Sequence, residues 1–187
     1  MSKPKGKSQG AKTTGPQESG RPDLQHKAAA PDKIKFMVIT VSDTRTPETD
    51  DSGKIIHKLV QEAGHSVTAY CVVKDESYLV DDAIQEGTVN HEVDIIVLNG
   101  GTGVSSRDGT FETVVTMIEK PLPGFGELFR MLSWEQVGPA AMLTRATAGL
   151  YRGKVIFSIP GSPSAATLAM SKLILPEAGH ILFESRR

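Results

Sequence analysis

A glycine-rich turn set between an apolar run and an amphipathic stretch constrains this chain more than any other feature. It reads Leu98-Asn99-Gly100-Gly101-Thr102-Gly103-Val104-Ser105-Ser106-Arg107-Asp108. Residues 93–98, apolar except for Asp94, predict a buried strand, and Phe111, Val114, Val115 and Ile118 then fall at helical spacing. Such a junction lets the backbone approach a ligand and aim several N–H groups at an anion, with the positive end of a helix dipole on the same side. Arg107 and Asp108 close the turn with side chains suited to phosphate and metal. The same residues also suit a plain strand-to-helix turn that needed glycine, and the stretch alone leaves both readings open.

Strand and helix patterns alternate along the rest of the chain. Residues 34–41 predict a first strand, apolar enough to lie inside a sheet. Asp50-Asp51-Ser52-Gly53 offers capping oxygens to a helix whose stripe is Ile55, Ile56, Leu59, Val60 and Ala63, with Gly64 as its stop. Residues 65–73 predict a second strand and 76–87 a second helix. A third helix is expected over 110–119, then a stiff connector, Lys120-Pro121-Leu122-Pro123-Gly124. Phe125, Leu128, Phe129 and Leu132 mark a fourth helix. Residues 146–151 are expected to pair with 154–159 around Gly153. Pro160-Gly161-Ser162-Pro163-Ser164 forms a second strand–turn–helix junction, and the closing helix is expected to start near Ser164 and be interrupted around Pro176. This alternation predicts an α/β fold, a three-layer sandwich around a mostly parallel sheet.

Composition narrows the class. With 39% hydrophobic and 23% charged residues the chain can build a core, yet it lacks the roughly 18 consecutive apolar residues of a spanning helix. No membrane partner or secretion signal is expected, and a cytoplasmic location follows as the expectation. Cys71 is the single cysteine; it reads as a small buried hydrophobe in a reducing compartment, and Trp134 as a packing residue. Residues 1–32 carry Lys3, Lys5, Lys7, Lys12, Arg21 and Lys27 against Glu18, Asp23 and Asp32, with almost no large apolar side chains. A disordered tail is expected there, ahead of one folded domain over 33–187. The body is mildly acidic and the tail only weakly basic, which speaks against a nucleic-acid partner.

In an open α/β sheet, ligands bind beyond the carboxyl ends of the strands. The loops at 42–53, 74–76, 99–108 and 160–164 leave such ends, and this places Asp75 and Asp108 on one rim. Two carboxylates beside a phosphate-binding loop suit Mg²⁺, a hard cation that favours oxygen; both also suit helix caps or turns. The glycine loop does not suffice by itself. A helix terminus contributes about 0.3–1 kcal/mol, whereas micromolar affinity takes about 8 kcal/mol, so a nucleotide needs the second glycine turn, Arg107, hydroxyls and a metal together. Other chemistries find no support. The five histidines lack zinc spacing, Gly-x-Ser-x-Gly is absent, and the single Gly-Lys-Ser, at residues 6–8, has no strand before it. The dinucleotide fingerprint has Ser106 in its third position, which disfavours a nicotinamide-dependent oxidoreductase.

The motifs in order resemble the molybdopterin-binding family, in its small single-domain MoaB/Mog type of molybdenum-cofactor biosynthesis. The match begins at Val41-Ser42-Asp43-Thr44-Arg45 with Asp51 and Gly53. It continues through Asp75, Gly100-Gly101-Thr102-Gly103 and Arg107-Asp108. Pro123-Gly124-Phe125-Gly126-Glu127, Leu143-Thr144-Arg145 and Pro160-Gly161-Ser162-Pro163 follow. Asn99 stands where many members have Thr, and Gly109-Thr110 where a Val-Thr pair is common. The resemblance implies a homotrimer or hexamer with the molybdopterin-binding fold, which binds molybdopterin and adenylylates it with ATP and Mg²⁺, releasing pyrophosphate. It also implies contact with the metal-insertion protein of the same pathway. Asp75 and Asp108 are the expected Mg²⁺ and catalytic residues, and Gly100, Gly101, Thr102 and Gly103 the phosphate cradle. Ser42, Asp51, Gly53, Glu127, Ser133, Pro160, Gly161 and Ser162 are expected to line the pocket. A non-catalytic pterin carrier or scaffold is the alternative the resemblance leaves open.

Overall fold

The computed structural model of the protein describes residue 31 and residues 33–187; the tail expected over 1–32 lies outside the described residues, apart from Pro31. The predicted alternation is realised. The strands are β1 (Lys35–Val41), β2 (Ser66–Val73), β3 (Ile95–Asn99), β4 (Lys120–Pro121), β5 (Thr147–Tyr151) and β6 (Lys154–Ile159). Between and after them run α1 (Asp51–Glu62), α2 (Ser77–Val89), α3 (Thr110–Met117), α4 (Pro123–Val137), α5 (Pro163–Ala169) and α6 (Leu175–Ser185). The strand order is β2-β1-β3-β6-β5-β4. β2, β1, β3 and β6 are parallel, and β5 and β4 add an antiparallel margin.

Side chains alternate across the strands and divide the core into two layers. Phe36, Val38, Ile95, Val97, Val155 and Phe157 pack on the side covered by α1, α4, α5 and α6. Met37, Ile39, Ile96, Leu98 and Ile156 pack on the other side, against Val80, Ile84 and Val114 of α2 and α3. The three-layer sandwich is thus the observed fold. From β1 the chain first crosses to β2 on one flank and then to β3 on the other. The winding reverses between β1 and β3, and there the loops leaving the two strands part to open a crevice.

Local chemistry explains the element ends. Asp50 caps α1 by accepting from the Gly53 amide, and Gly64, at φ 83°, stops it. Arg152 and Gly153 both take positive φ, 47° and 74°, the backbone a two-residue hairpin turn requires between β5 and β6. Cys71 is half-buried against the second core layer, and burial pushes its thiol up to about 11. Among the described residues no helix is long and apolar enough to cross a membrane.

Some expectations need correction. The connector at 120–124 contains β4, held by Glu119 N–H to Leu150 O and Leu122 N–H to Ala148 O. This pairing draws the chain away, so α3 ends at Met117 instead of 119. The closing helix is interrupted just before Pro176, as expected, but it does not end there. A π-helical turn, Met170–Ile174, absorbs the missing proline donor and the chain stays helical into α6. Trp134 is not a packing residue within the chain, being 59% exposed on α4, and Leu128 and Met131 are exposed with it. They share one stripe three residues apart, whereas the sheet takes Phe125, Phe129 and Ser133 from the opposite face. Phe157 is fully buried and meets Phe125 edge-to-face, with ring centroids 5.0 Å apart. Phe157→Ala is expected to lower stability by about 3–5 kcal/mol, read from the shift of a urea unfolding midpoint.

Candidate functional site

The crevice between β1 and β3 is floored by a buried polar network. Thr40 Oγ1, at the end of β1, donates to Asp50 Oδ2 (2.6 Å) and accepts from Asn99 Nδ2 (2.8 Å) at the end of β3. Ser52 Oγ donates to Asn99 Oδ1 (2.7 Å), Gly53 N–H to Asp50 Oδ1 (2.9 Å), and the Tyr70 hydroxyl of β2 to Asp50 Oδ2 (2.8 Å). Asp50 is 1% exposed. Burial pushes its carboxyl up, but hydrogen bonds from Thr40, Gly53, Tyr70 and Ser52 outweigh it and hold the group below its ordinary value. Gly53 belongs to this network and does not line the crevice. A Cβ there would lie 2.0 Å from Asp50 Oδ2.

The glycine loop lies directly above. Gly100 has φ 108°, and a Cβ there would sit 2.1 Å from the Val41 carbonyl oxygen; Gly101 has φ 63°, with Thr110 Oγ1 2.0 Å from the corresponding point. Only glycine takes both the backbone conformation and the contact without strain. The turn after β6 nests against the same place, a Cβ on Gly161 falling 3.0 Å from Gly100 Cα.

Asp75 is buried, and its Oδ1 accepts from Thr110 Oγ1 (2.9 Å) and Gly109 N–H (3.3 Å). Asp108, half-buried, accepts through Oδ2 from Ser105 N–H (2.9 Å) and Ser105 Oγ (2.7 Å). The two carboxylates thus flank one loop, Asp75 against Gly101 and Asp108 against Gly103. The other oxygen of each, Asp75 Oδ2 and Asp108 Oδ1, has no hydrogen-bond donor among the described residues. Four successive amides on the loop, Gly101 to Val104, donate to no acceptor among the described residues. Those on either side are engaged, Gly100 with Ile159 O and Ser105 with Asp108.

Two arginines fasten the loop, one from within it. Arg107 donates to both Asp43 oxygens (3.1 and 3.2 Å) and to Glu76 Oε1 (2.8 Å), joining the loops that leave β1, β2 and β3. The guanidinium holds the Asp43 carboxyl below the usual carboxylate range. Arg145, ahead of β5, donates through Nε to Thr102 O (3.1 Å), through Nη2 to Gly103 O and through Nη1 to Glu112. Its guanidinium carbon lies 5.0 Å from the Phe111 ring centroid.

The pocket residues sort into two groups around the turn after β6. A cavity of about 120 Å³ brings Ser42, Asp51 and Gly161 together with Ser52 and Asn99. On the other side of the turn, one of about 160 Å³ brings Ser133, Pro160 and Ser162 together. A third, of about 360 Å³, shares Pro163 with the first and Ser164, Gln136 and Leu168 with the second, so the three are neighbours around the turn. Glu127 is exposed on α4 and lines none of them. Sequence reasoning had no place for the Thr40–Asn99 link, the Asp43–Arg107–Glu76 ion pairs or the reach of Arg145. The one usable signal was polar Thr40 and Asn99 standing at the ends of otherwise apolar strands.

The stability Asp50 contributes is fully present above its ordinary value of 3.8 and is lost as pH falls through its depressed native value. Asp50→Ala is therefore expected to cost about 2–4 kcal/mol at neutral pH. The gap to wild type should narrow below pH 3.8, checked by denaturant melts across an acid pH series.

Residues 37–180 match the family model described as "Probable molybdopterin binding domain". Molybdenum cofactor biosynthesis protein B of Bacillus cereus is 50% identical over 164 residues, covering 87% of this chain and 97% of that protein. A crystal structure of a molybdenum cofactor biosynthesis protein B superposes with a TM-score of 0.82 at 50% identity, covering 84% of this chain and 99% of that one. The crystal structure of the tungsten cofactor synthesizing protein MoaB from Pyrococcus furiosus gives 0.73 at 37% identity, covering 84% and 100%.

Proposed function

Because this chain belongs to the molybdenum cofactor biosynthesis protein B family, we propose that it binds molybdopterin and adenylylates it with ATP. The observation that carries this reading is the row of amides from Gly101 to Val104, unengaged by the described residues and flanked by Asp75 and Asp108. Backbone amides of this kind cradle phosphate oxygens, and the rim supplies several such donors at once.

In the proposed reaction a phosphate oxygen of the pterin forms a bond to the α-phosphorus of ATP. The bond from that phosphorus to the bridging oxygen breaks, and pyrophosphate leaves with the electron pair. Transfer of this class depends on positioning and on neutralising charge, with little covalent work for the protein. Asp75 and Asp108 would hold Mg²⁺, which when bound neutralises the triphosphate. Two carboxylates with an unengaged oxygen each fit that ion, since Mg²⁺ usually combines one or two carboxylates with substrate phosphates and water. Among the described residues no three acidic, histidine or cysteine side chains form a cage of their own. The pterin would sit at the turn Pro160–Pro163, where Ser133 and Ser162 line a cavity.

An assembly of like subunits, trimer or hexamer, forms part of the proposal. Leu128, Met131, Trp134 and Val137 of α4 leave an apolar stripe exposed, continued by Met142 and Leu143 in the 3-10 segment Gly138–Leu143. A stripe of that kind favours contact with another apolar surface. Trp134→Glu is expected to lower the mass measured by light scattering while leaving the circular dichroism unchanged. Contact with the pathway's metal-insertion protein is proposed on the family resemblance alone.

The direct test incubates the protein with molybdopterin, ATP and Mg²⁺ and looks for adenylylated pterin and pyrophosphate. Asp108→Ala is expected to fold and bind pterin while losing about 100-fold or more of the pyrophosphate release. Pterin binding by wild type with no ATP consumed would instead make the protein a carrier.

A further inference from the structure

Arg145 is the one charged residue of its stretch that no part of the proposed chemistry uses, yet it grips the glycine loop from 42 and 43 residues away. Its side chain takes the carbonyl oxygens of two consecutive residues, Thr102 and Gly103. A trans peptide is planar, with its N–H pointing opposite to its C=O. Fixing those two carbonyls therefore fixes the Gly103 and Val104 amides on the opposite side of the loop. These are two of the four amides with no acceptor among the described residues. Asp108 lies against Gly103, where a Cβ would fall 2.4 Å from Asp108 Oδ2.

We propose that Arg145 is a positioning residue for polyphosphate binding, which orients the Gly103 and Val104 amides by holding the carbonyls of the same two peptide planes. The inference rests on the phosphate-cradle reading of the loop. Arg145 does not touch the ligand. Glu112 pairs with its remaining nitrogen, and the Phe111 ring lies 5.0 Å from the guanidinium carbon. Only a planar fork with several donors reaches both carbonyls while keeping that ion pair; an ammonium is a point charge with a different geometry.

The experiment uses the full chain and measures binding of Mg–ATP and of inorganic pyrophosphate by calorimetry, beside hydrogen exchange of the amides at 100–109. Arg145→Met is expected to weaken both ligands about tenfold or more, to speed exchange in the loop, and to leave β1 and β3 amides and pterin affinity unchanged. Arg145→Lys keeps the charge and is expected to stay about fivefold or more weakened. Glu112→Gln, which keeps both carbonyl contacts, should bind within about threefold of wild type. Full recovery in Arg145→Lys would show that charge alone matters and would overturn the proposal. So would wild-type affinity or wild-type loop exchange in Arg145→Met, with the phosphate-cradle reading then left intact. If wild type binds neither ligand, that reading falls and this one with it. Should Arg145→Met not fold, the Lys and Gln variants carry the same comparison.

Discussion

The buried carboxylate of Asp50 holds the head of this sheet together. It sits where β1, β2 and α1 converge, and through Thr40 it is joined to Asn99 on β3. A charge removed from water is tolerated only when its hydrogen bonds are complete, and here several donors complete it from separate elements. The side chain contacts none of the proposed ligand groups. What it fixes is the start of α1 against the ends of β1 and β2, since the ends of β1 and β3 are already held by their own ladder through Thr40 and Asn99.

Above this floor, absence of side chains does the positioning. Gly100 rests on the carbonyl of Val41, and Gly161 rests on Gly100. The end of β1 and the turns after β3 and β6 are stacked backbone on backbone, with no room for a Cβ at Gly100 and little at Gly161. A surface built this way is dense in main-chain donors, so anion chemistry belongs to the shape of the rim as well as to Asp75 and Asp108. The same device recurs at the antiparallel margin, where a Cβ on Gly149 of β5 would fall 2.6 Å from the Lys120 carbonyl oxygen of β4.

Most of the architecture was legible in the sequence because it is written in periodicity. The alternation of Phe36 and Val38 with Met37 and Ile39 sorts one strand between two core layers, and the helices are bounded by recognisable caps. The rule that ligands gather beyond parallel strand ends was enough to bring Asp75 and Asp108 to one loop. Less legible was anything decided by a partner far away in the chain. Asp50 and Asp51 are adjacent acids, and only the three-dimensional start of α1 makes the first buried and the second exposed. Gly53 reads as a pocket glycine although its place is beneath Asp50. Trp134 and Leu128 carry the hydrophobicity of a core but the phase of the outer face, since α4 offers apolar residues on both sides. Arg145 stands in an aperiodic stretch, and no local pattern foretells which carbonyls it will take.

The ion pairs of Arg107 set one last property. They link three loops through side chains that are 39–51% exposed, in contrast to the enclosed network below. Mobile ions weaken attraction between exposed charges and leave enclosed ones nearly untouched. The rim is thus sensitive to the surrounding electrolyte while its foundation is not: as the medium becomes more saline, the three loops gain freedom relative to one another on an unchanged base.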